Sequence, residues 1–320
     1  MDARTLADYV GYAQEAVLNV WREQSLRGLS HRQIPSSVLG PHAWLLEADA
    51  RLTWTSWYVD GLVDRSRYVY DRSLGYSRLY AEMQGQLHDQ NPGLPVDEVR
   101  MAASALSELA WEDIVKRRDI ARGSLSKSDR EELWYAAEPD PRCYLCGYLF
   151  TPLARDRYLE RRSARSVTLE DLPLLVDFTR PRGLVVRDLA VEVDHVTAVS
   201  AGGRSYLGNL QLACGWCNKV KSNLETLYDV PATFAGAMPV HGLGIVSLPR
   251  PLWVLRIVAT RGRCEYSKGC SATLQDNELY IAPYNLNGML NPVNCRIYCQ
   301  EHDPWSTIRF IGRDAMQGRR

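Results

Sequence analysis

The chain reads as an α+β protein, with helices first and small cysteine-stapled units after them. Three observations point there. Leu6, Val10, Ala13, Val17, Val20 and Trp21 recur at three-to-four spacing, the period of an amphipathic helix. Two Cys-x-x-Cys pairs, Cys143/Cys146 and Cys214/Cys217, bracket the strand-like run Val191-Glu192-Val193-Asp194-His195-Val196. Four more cysteines follow a second apolar run near the end of the chain.

Helix signals continue up to residue 138. Pro41 opens a helix that runs to about Trp57. Pro95-Val96-Asp97-Glu98 opens another, whose apolar face holds Val99, Ala102, Ala103, Leu106, Leu109, Ala110, Ile114 and Val115, with Gly123 as its stop. Ser126-Lys127-Ser128-Asp129 starts a short one. Tryptophans 21, 44, 54, 57, 111 and 134 are expected to form the core of this part. Between Arg65 and Tyr80 arginine interleaves with tyrosine. That mixture suits either base stacking or a helical surface with half-buried rings.

Glu138-Pro139-Asp140-Pro141 breaks the helical pattern. The expected division is therefore a helical domain over 1–138, a cysteine-bracketed module over 139–230 and a C-terminal zinc-binding domain over 231–320. Val230-Pro231 and the Gly/Pro/Ala-rich stretch to Pro239 read as a linker, and Trp253–Val258 reads as a strand.

A length of 320 residues allows two or three domains. Hydrophobic content of 46% and charged content of 24% are those of a globular protein. No apolar run approaches the roughly 18 residues of a membrane span, and the first residues lack a signal-peptide pattern. The expectation is a cytoplasmic protein with no membrane contact, whose cysteines bind metal rather than forming disulfides. A formal net charge of zero argues against indiscriminate nucleic-acid binding. Locally the balance differs: Phe150 to Arg187 holds eight arginines against five acidic residues. That excess fits phosphate contact and a solvated helix face equally well.

Zinc in structural sites takes four ligands in a tetrahedron, and each Cys-x-x-Cys knuckle supplies two thiolates. The pairs Cys143/Cys146 and Cys214/Cys217 thus form one complete ligand set. A redox role would need only one pair. Residues 147–213 lie between the pairs, so something folded must fill the gap. Within it, Asp194 can offer an oxygen to a hard cation, and His195 has a side chain suited to general-base work. Gly202-Gly203 permits a tight loop, and the Asn209 amide can tie that loop down. Asn218, directly after the second pair, can offer a carbonyl oxygen to the ion that Asp194 binds.

The string Cys143-x-x-Cys146, Glu192-Val-Asp194-His195-Val-x-x-Val-Ser-x-Gly202-Gly203, Asn209-Leu210, Cys214-x-x-Cys217-Asn218-x-x-Lys221 resembles the HNH endonucleases. The resemblance covers about 90 residues and includes a long insertion. It implies a ββα-metal, treble-clef-like module, stapled by zinc on Cys143, Cys146, Cys214 and Cys217. It implies His195 as general base, Asn209 as the central asparagine, and a catalytic ion on Asp194 and Asn218. Asn218 stands where the family usually has histidine, so the chain reads as an HNN variant. An oxygen-donor pair of this kind favours Mg²⁺ or Mn²⁺. The implied reaction is phosphodiester hydrolysis in DNA that leaves 5′-phosphate and 3′-hydroxyl ends. Arg204, Lys219 and Lys221 are the expected phosphate contacts. One site cuts one strand, so a double-strand break needs a homodimer or two encounters.

Cys264, Cys270, Cys295 and Cys299 form a second candidate zinc set, with His302 nearby as an alternative ligand. The protein would then hold one or two structural zinc ions. Glu278-Leu279-Tyr280-Ile281 echoes Glu192-Val193-Asp194-His195 without the Asp-His, so the segment reads as a noncatalytic copy or as an unrelated knuckle. By analogy with how such nucleases are used, the whole layout suits an effector in phage defence or restriction. The helical domain would serve partner docking, sensing or DNA recognition. Two rival readings are a silent zinc-dependent nucleic-acid binder and a partner-gated scaffold. An Asp-His pair argues against the silent binder, which has no use for a base beside a metal ligand.

Overall fold

The computed structural model describes residues 3–118, 125–161, 166–197, 206–233 and 235–317. Its first part is helical: α1 (Ala3–Leu18), α2 (Glu23–Ser30), α3 (Ser36–Leu39), α4 (Ala43–Leu62), α5 (Arg65–Tyr70), α6 (Tyr76–Gln90), α7 (Val96–Arg118) and α8 (Lys127–Ala136). α8 starts where Ser126 and Asp129 cap each other. The Ser126 hydroxyl accepts from the Asp129 amide at 3.1 Å, and the Asp129 carboxylate accepts from the Ser126 amide at 2.9 Å.

Next come α9 (Pro152–Tyr158), β1 (Leu175–Asp177), β2 (Val191–His195), β3 (Leu210–Cys214) and α10 (Gly215–Lys221). The last part contains β4 (Gly236–Val240), β5 (Gly244–Leu248), α11 (Pro251–Arg261), β6 (Leu279–Pro283), β7 (Cys295–Cys299), β8 (Phe310–Gly312) and α12 (Arg313–Gln317). The strands pair antiparallel as β2–β3, β4–β5, β6–β7 and β1–β8. The β1–β8 pair ties the segment between the two knuckles to the C-terminal end.

Two local expectations change. The run at Trp253–Val258 lies within helix α11, not in a strand. Pro251 sits in its first turn and Gly262, left-handed at φ +65°, closes it. A short apolar run does not distinguish a buried helix from a buried strand, and here the flanking proline and glycine decide. The supposed linker to Pro239 contains β4, paired with β5.

Among the described residues there are three hydrophobic cores, and two of them take residues from both sides of positions 138 and 230. One lies among α4–α7, around Val59, Leu62, Tyr68, Leu79, Met83 and Ile114. A second surrounds the first cysteine set and takes Trp134 from α8 and Leu255 from α11. The third joins Leu45 and Leu46 of α4 to Val176, Phe178, Leu227 and the C-terminal strands. At 20 residues α4 spans about 30 Å, and its two ends enter different cores.

Polar groups reinforce that seam. The buried Asp49 carboxylate accepts from the Leu227 amide at 2.8 Å and pairs with Arg256 at 2.7 Å. His42 is fully buried with its Nε2 3.0 Å from the Cys295 carbonyl oxygen. Gly40, at φ +67°, packs so close to Val293 that a Cβ would lie 2.1 Å from the Val293 carbonyl oxygen.

The tryptophans do not form the helical core as expected. Trp21, Trp54 and Trp57 are 96%, 64% and 66% exposed, and Trp44 is also exposed. Trp134 packs in the cysteine core, and Trp111 lies at the edge of the helical one. The Arg/Tyr stretch is mostly a packed helical surface. Tyr68 is fully buried and donates to Glu82, while Arg65 pairs with Asp60 and Asp113.

Between β1 and β6, Arg309 is fully buried and all five of its N–H groups donate. Nε and Nη2 bond the Asp303 carboxylate at 2.5 and 2.8 Å. Nη1 reaches Asp177 and the Thr179 hydroxyl, and Nη2 also reaches the Ile281 carbonyl oxygen at 2.6 Å. A buried guanidinium is tolerated because every donor is met.

Candidate metal and catalytic site

The first cysteine set assembles from two turns. Residues 143–146 form a knuckle in which the Gly147 amide donates to the Cys143 carbonyl oxygen at 2.8 Å. Gly147 is left-handed at φ +76°, and a Cβ there would meet the Asn277 carbonyl oxygen at 1.9 Å. The second pair comes from the end of β3 and the first turn of α10. The sulfurs of Cys143, Cys146, Cys214 and Cys217 all lie within 4.8 Å of one another, and all four residues are buried. Four converging buried thiols are the donor set of a structural zinc site. The Arg182 guanidinium lies 3.5 Å from the Cys146 sulfur, where it can offset thiolate charge.

The second set consists of Cys264, Cys270, Cys299 and His302. His302 Nδ1 lies 3.2 Å from the Cys299 sulfur, and its ring stacks on Tyr266 at 3.9 Å. This corrects the expected set, because Cys295 is not in it. Cys295 and Cys299 stand at opposite ends of β7. Four strand steps of about 3.3 Å put them roughly 13 Å apart, too far to share one ion. Burial instead pushes the Cys295 thiol up to about 12. Cys264, Cys270, Cys299 and His302 make a Cys₃His set that also suits zinc. The β6–β7 hairpin resembles β2–β3 in length, but residues 300–309 after it are turns rather than a helix.

β2, β3 and α10 make a ββα unit, with Asp194 opposite Gln211 and His195 opposite Leu210. The Asp194 carboxylate is buried. It accepts from the Tyr144 hydroxyl at 2.5 Å and pairs with the Lys221 ammonium at 2.9 Å. Burial, and then the adjacent carboxylate, push the Tyr144 hydroxyl far above its ordinary range, so it stays a neutral donor. Tyr144 belongs to the knuckle, and its amide donates to Leu212 at 3.0 Å. The structural cysteine turn thus reaches Asp194 directly. Sequence reasoning passed over Tyr144, since the middle residues of a knuckle carry no signature and its partner lies 50 positions away.

Asn209 is buried and clamps the outgoing chain. Its side-chain oxygen accepts from the Thr197 amide at 2.9 Å, and its amide nitrogen donates to the Thr197 carbonyl at 3.2 Å. Its own carbonyl accepts from the Val196 amide at 2.9 Å. The strand end that carries His195 is fixed by these bonds, and by Lys221, which donates to the His195 carbonyl oxygen at 2.6 Å. Asn218 donates its side-chain N–H to Glu192 at 2.6 Å, and Arg187 grips the same carboxylate. Glu192 and Asp194, two apart on β2, share a face. Sequence reasoning quoted Glu192 without giving it a role.

Of the expected phosphate contacts, Lys219 is exposed on α10. Lys221 is mostly buried against Asp194 and His195, so it braces the site rather than standing free. Arg204 and Gly202-Gly203 lie outside the described residues. Asp194, Glu192 and the Asn218 side-chain oxygen are hard donors, which suit Mg²⁺ or Mn²⁺ better than a soft ion. Among the described residues, the groups of three or more His, Cys, Asp or Glu near enough to share an ion are the two cysteine sets. No helix among the described residues is long and apolar enough to cross a membrane.

Residues 184–224 match the family model described as HNH endonuclease. The matched segment covers β2, β3 and α10, and leaves the first knuckle outside it. Neither the curated proteins nor the solved structures contain a match to the chain.

Proposed function

We propose that the chain, which carries an HNH endonuclease segment at residues 184–224, hydrolyses phosphodiester bonds in DNA. The observation that carries this reading is Asp194-His195 at the end of β2, braced by Asn209, Tyr144 and Lys221. His195 takes a proton from the attacking water, the role of a base whose ordinary pKa lies near neutrality. Asn209 and Lys221 hold the backbone of residues 195–197, so the imidazole is presented from a fixed strand end. Asp194 and Asn218 would hold a divalent ion, Mg²⁺ or Mn²⁺. That ion, when bound, supplies Lewis-acid stabilisation of the negative charge that develops on the phosphate and the leaving 3′ oxygen. Lys219 stands ready to meet a neighbouring phosphate. Cys143, Cys146, Cys214 and Cys217 would hold a structural zinc ion, which would keep the knuckle and the β3–α10 turn in register.

A second reading, partner-gated or substrate-gated activity, is favoured by one contact. Lys221 sits on the carboxylate assigned to the metal, and loading must move it. The exposed tryptophans of α4, with Trp21 in the turn after α1, give a partner protein a surface to hold. A role in phage defence or restriction, and a homodimer for double-strand breaks, extend the same reading by analogy.

The test is nicking of supercoiled plasmid with Mg²⁺, Mn²⁺ or EDTA. Wild type should nick only with a divalent ion. His195→Ala, folded and zinc-loaded, should lose about 10²–10⁴-fold in rate. Equal nicking by the two proteins would remove His195 as the base.

A further inference from the structure

We propose that Glu192 is a positioning residue that sets which end of the Asn218 amide faces the divalent ion. The proposal rests on the nuclease reading in one respect, that Asn218 is a metal ligand. An asparagine side chain carries a carbonyl oxygen that can bind a hard cation and an NH₂ group that cannot. The two exchange places when the amide turns over. A site that uses asparagine therefore needs a neighbour that chooses between them.

The choice is built into the packing of α10 on β2. Glu192 and Asp194 lie two apart on the strand, so they share a face. Asn218 and Lys221 lie three apart on the helix, so they share one too. The two faces meet: Asn218 Nδ2 donates to Glu192 Oε2 at 2.6 Å, and the Lys221 ammonium pairs with Asp194 at 2.9 Å. An ionised carboxylate only accepts. The end of the amide that meets Glu192 is therefore the NH₂, and the Asn218 oxygen is turned away from Glu192 and left for a cation.

Arg187 keeps Glu192 in that role. Its Nε donates to Oε1 at 2.6 Å and its Nη2 to Oε2 at 3.2 Å. With Asn218, three N–H groups thus share the two oxygens, and the guanidinium offsets the charge that would draw a metal to Glu192 itself. Only 19% of the Glu192 side chain is exposed, so these bonds are partly shielded from water. Gly215 borders the same carboxylate, and a Cβ there would lie 3.2 Å from Oε1. Glu192 is engaged by the protein's own donors, and the ion is left to Asp194 and Asn218.

Mn²⁺ binding to the zinc-loaded full chain tests this without any cleavage, read as loss of the free-ion signal in electron paramagnetic resonance. The chains compared are wild type, Glu192→Gln, Asn218→Asp and the double variant. Glu192→Gln keeps the shape and adds a donor that can draw the Asn218 oxygen toward itself. It should weaken Mn²⁺ binding at least about tenfold, the usual weight of a group that orients a ligand. Asn218→Asp offers two equivalent oxygens and has no wrong end. In that background Glu192→Gln should cost nothing, or tighten binding by separating two facing carboxylates. The difference between the two costs is the coupling that orientation predicts. Direct ligation by Glu192, or simple loss of its charge, would weaken both backgrounds alike. Equal weakening in both, no weakening in either, or no Mn²⁺ binding by wild type overturns the proposal. If Glu192→Gln does not fold, nuclear magnetic resonance of wild type decides. Asn218 NH₂ protons held by Glu192 should exchange slowly with water, and exchange as fast as an exposed asparagine's overturns the proposal. Plasmid nicking by wild type and His195→Ala is read separately. Coupling without nicking keeps the role of Glu192 and takes down the nuclease reading, and nicking without coupling does the opposite.

Discussion

Tyr144 is where residue-scale chemistry binds the two parts of the site together. Its hydroxyl donates to Asp194 at 2.5 Å from within the cysteine knuckle. Groups that orient a metal ligand from behind typically change affinity or activity 10–100-fold when removed. Tyr144→Phe keeps the ring and removes the donor. It should retain zinc and fold while requiring about 10–100-fold more Mg²⁺ or Mn²⁺ for half-maximal nicking. An unchanged metal requirement would make Tyr144 only a packing residue. The four cysteines of the first set were legible because fixed spacing makes a knuckle local. Tyr144 was not legible, since its contact exists only after β2 and the knuckle come together. Cys295 misled for the opposite reason. It is near Cys299 in sequence, but an extended strand converts four residues into distance.

At the scale of elements, α10 shows how closely the site is packed. Its first residue, Gly215, lies against the turn before β2, and a Cβ there would sit 2.0 Å from the Arg187 carbonyl oxygen. Backbone cannot yield as a flexible side chain can. Gly215→Ala should therefore push α10 outward and cost about 1–3 kcal/mol, the usual range for overpacking. A lowered melting temperature, with weaker retention of zinc by Cys214 and Cys217, is the expected result. An unchanged melting curve would mean that the turn shifts freely. The hairpin and α10 were foreseeable, because the Asp-His, the Asn209 position and the second knuckle mark three successive corners of one unit. α11 was not, because Trp-Val-Leu-Arg-Ile-Val has strand-like composition and only its flanks reveal a helix. The exposed tryptophans show the same limit. Composition says that large rings prefer burial, but not which face of α4 meets a neighbour.

At the scale of the whole molecule, α4 bridges two cores, one among the helices and one built with the C-terminal strands. Leu45 and Leu46 lie in the C-terminal core, Val59 and Leu62 in the helical one, and buried Asp49 satisfies Leu227 and Arg256. Removing one partner of a buried pair costs about 3–5 kcal/mol, and here apolar packing is lost as well. A fragment starting at residue 139 should therefore be insoluble or melt far below the full chain. A fragment starting at residue 36, which keeps α3 and α4, should melt close to it. Equal stability of the two fragments would show that α4 is dispensable to the C-terminal core. A Pro-rich break signals a turn in the chain, while core membership depends on contacts between residues far apart in sequence, which a local pattern does not carry.

If the cysteine set holds zinc and Asp194 a catalytic ion, as proposed above, the hydroxyl that runs from the knuckle to Asp194 would make recovery depend on the order in which the metals are added. A strong chelator that strips the thiolates loosens the turn that aims Asp194. Magnesium returned alone would then find a misdirected carboxylate. Zinc first and magnesium second should restore nicking, whereas magnesium alone should restore it only after mild chelation that spared the thiolates. Recovery that ignores the order of addition would mean that the two metal sites act independently.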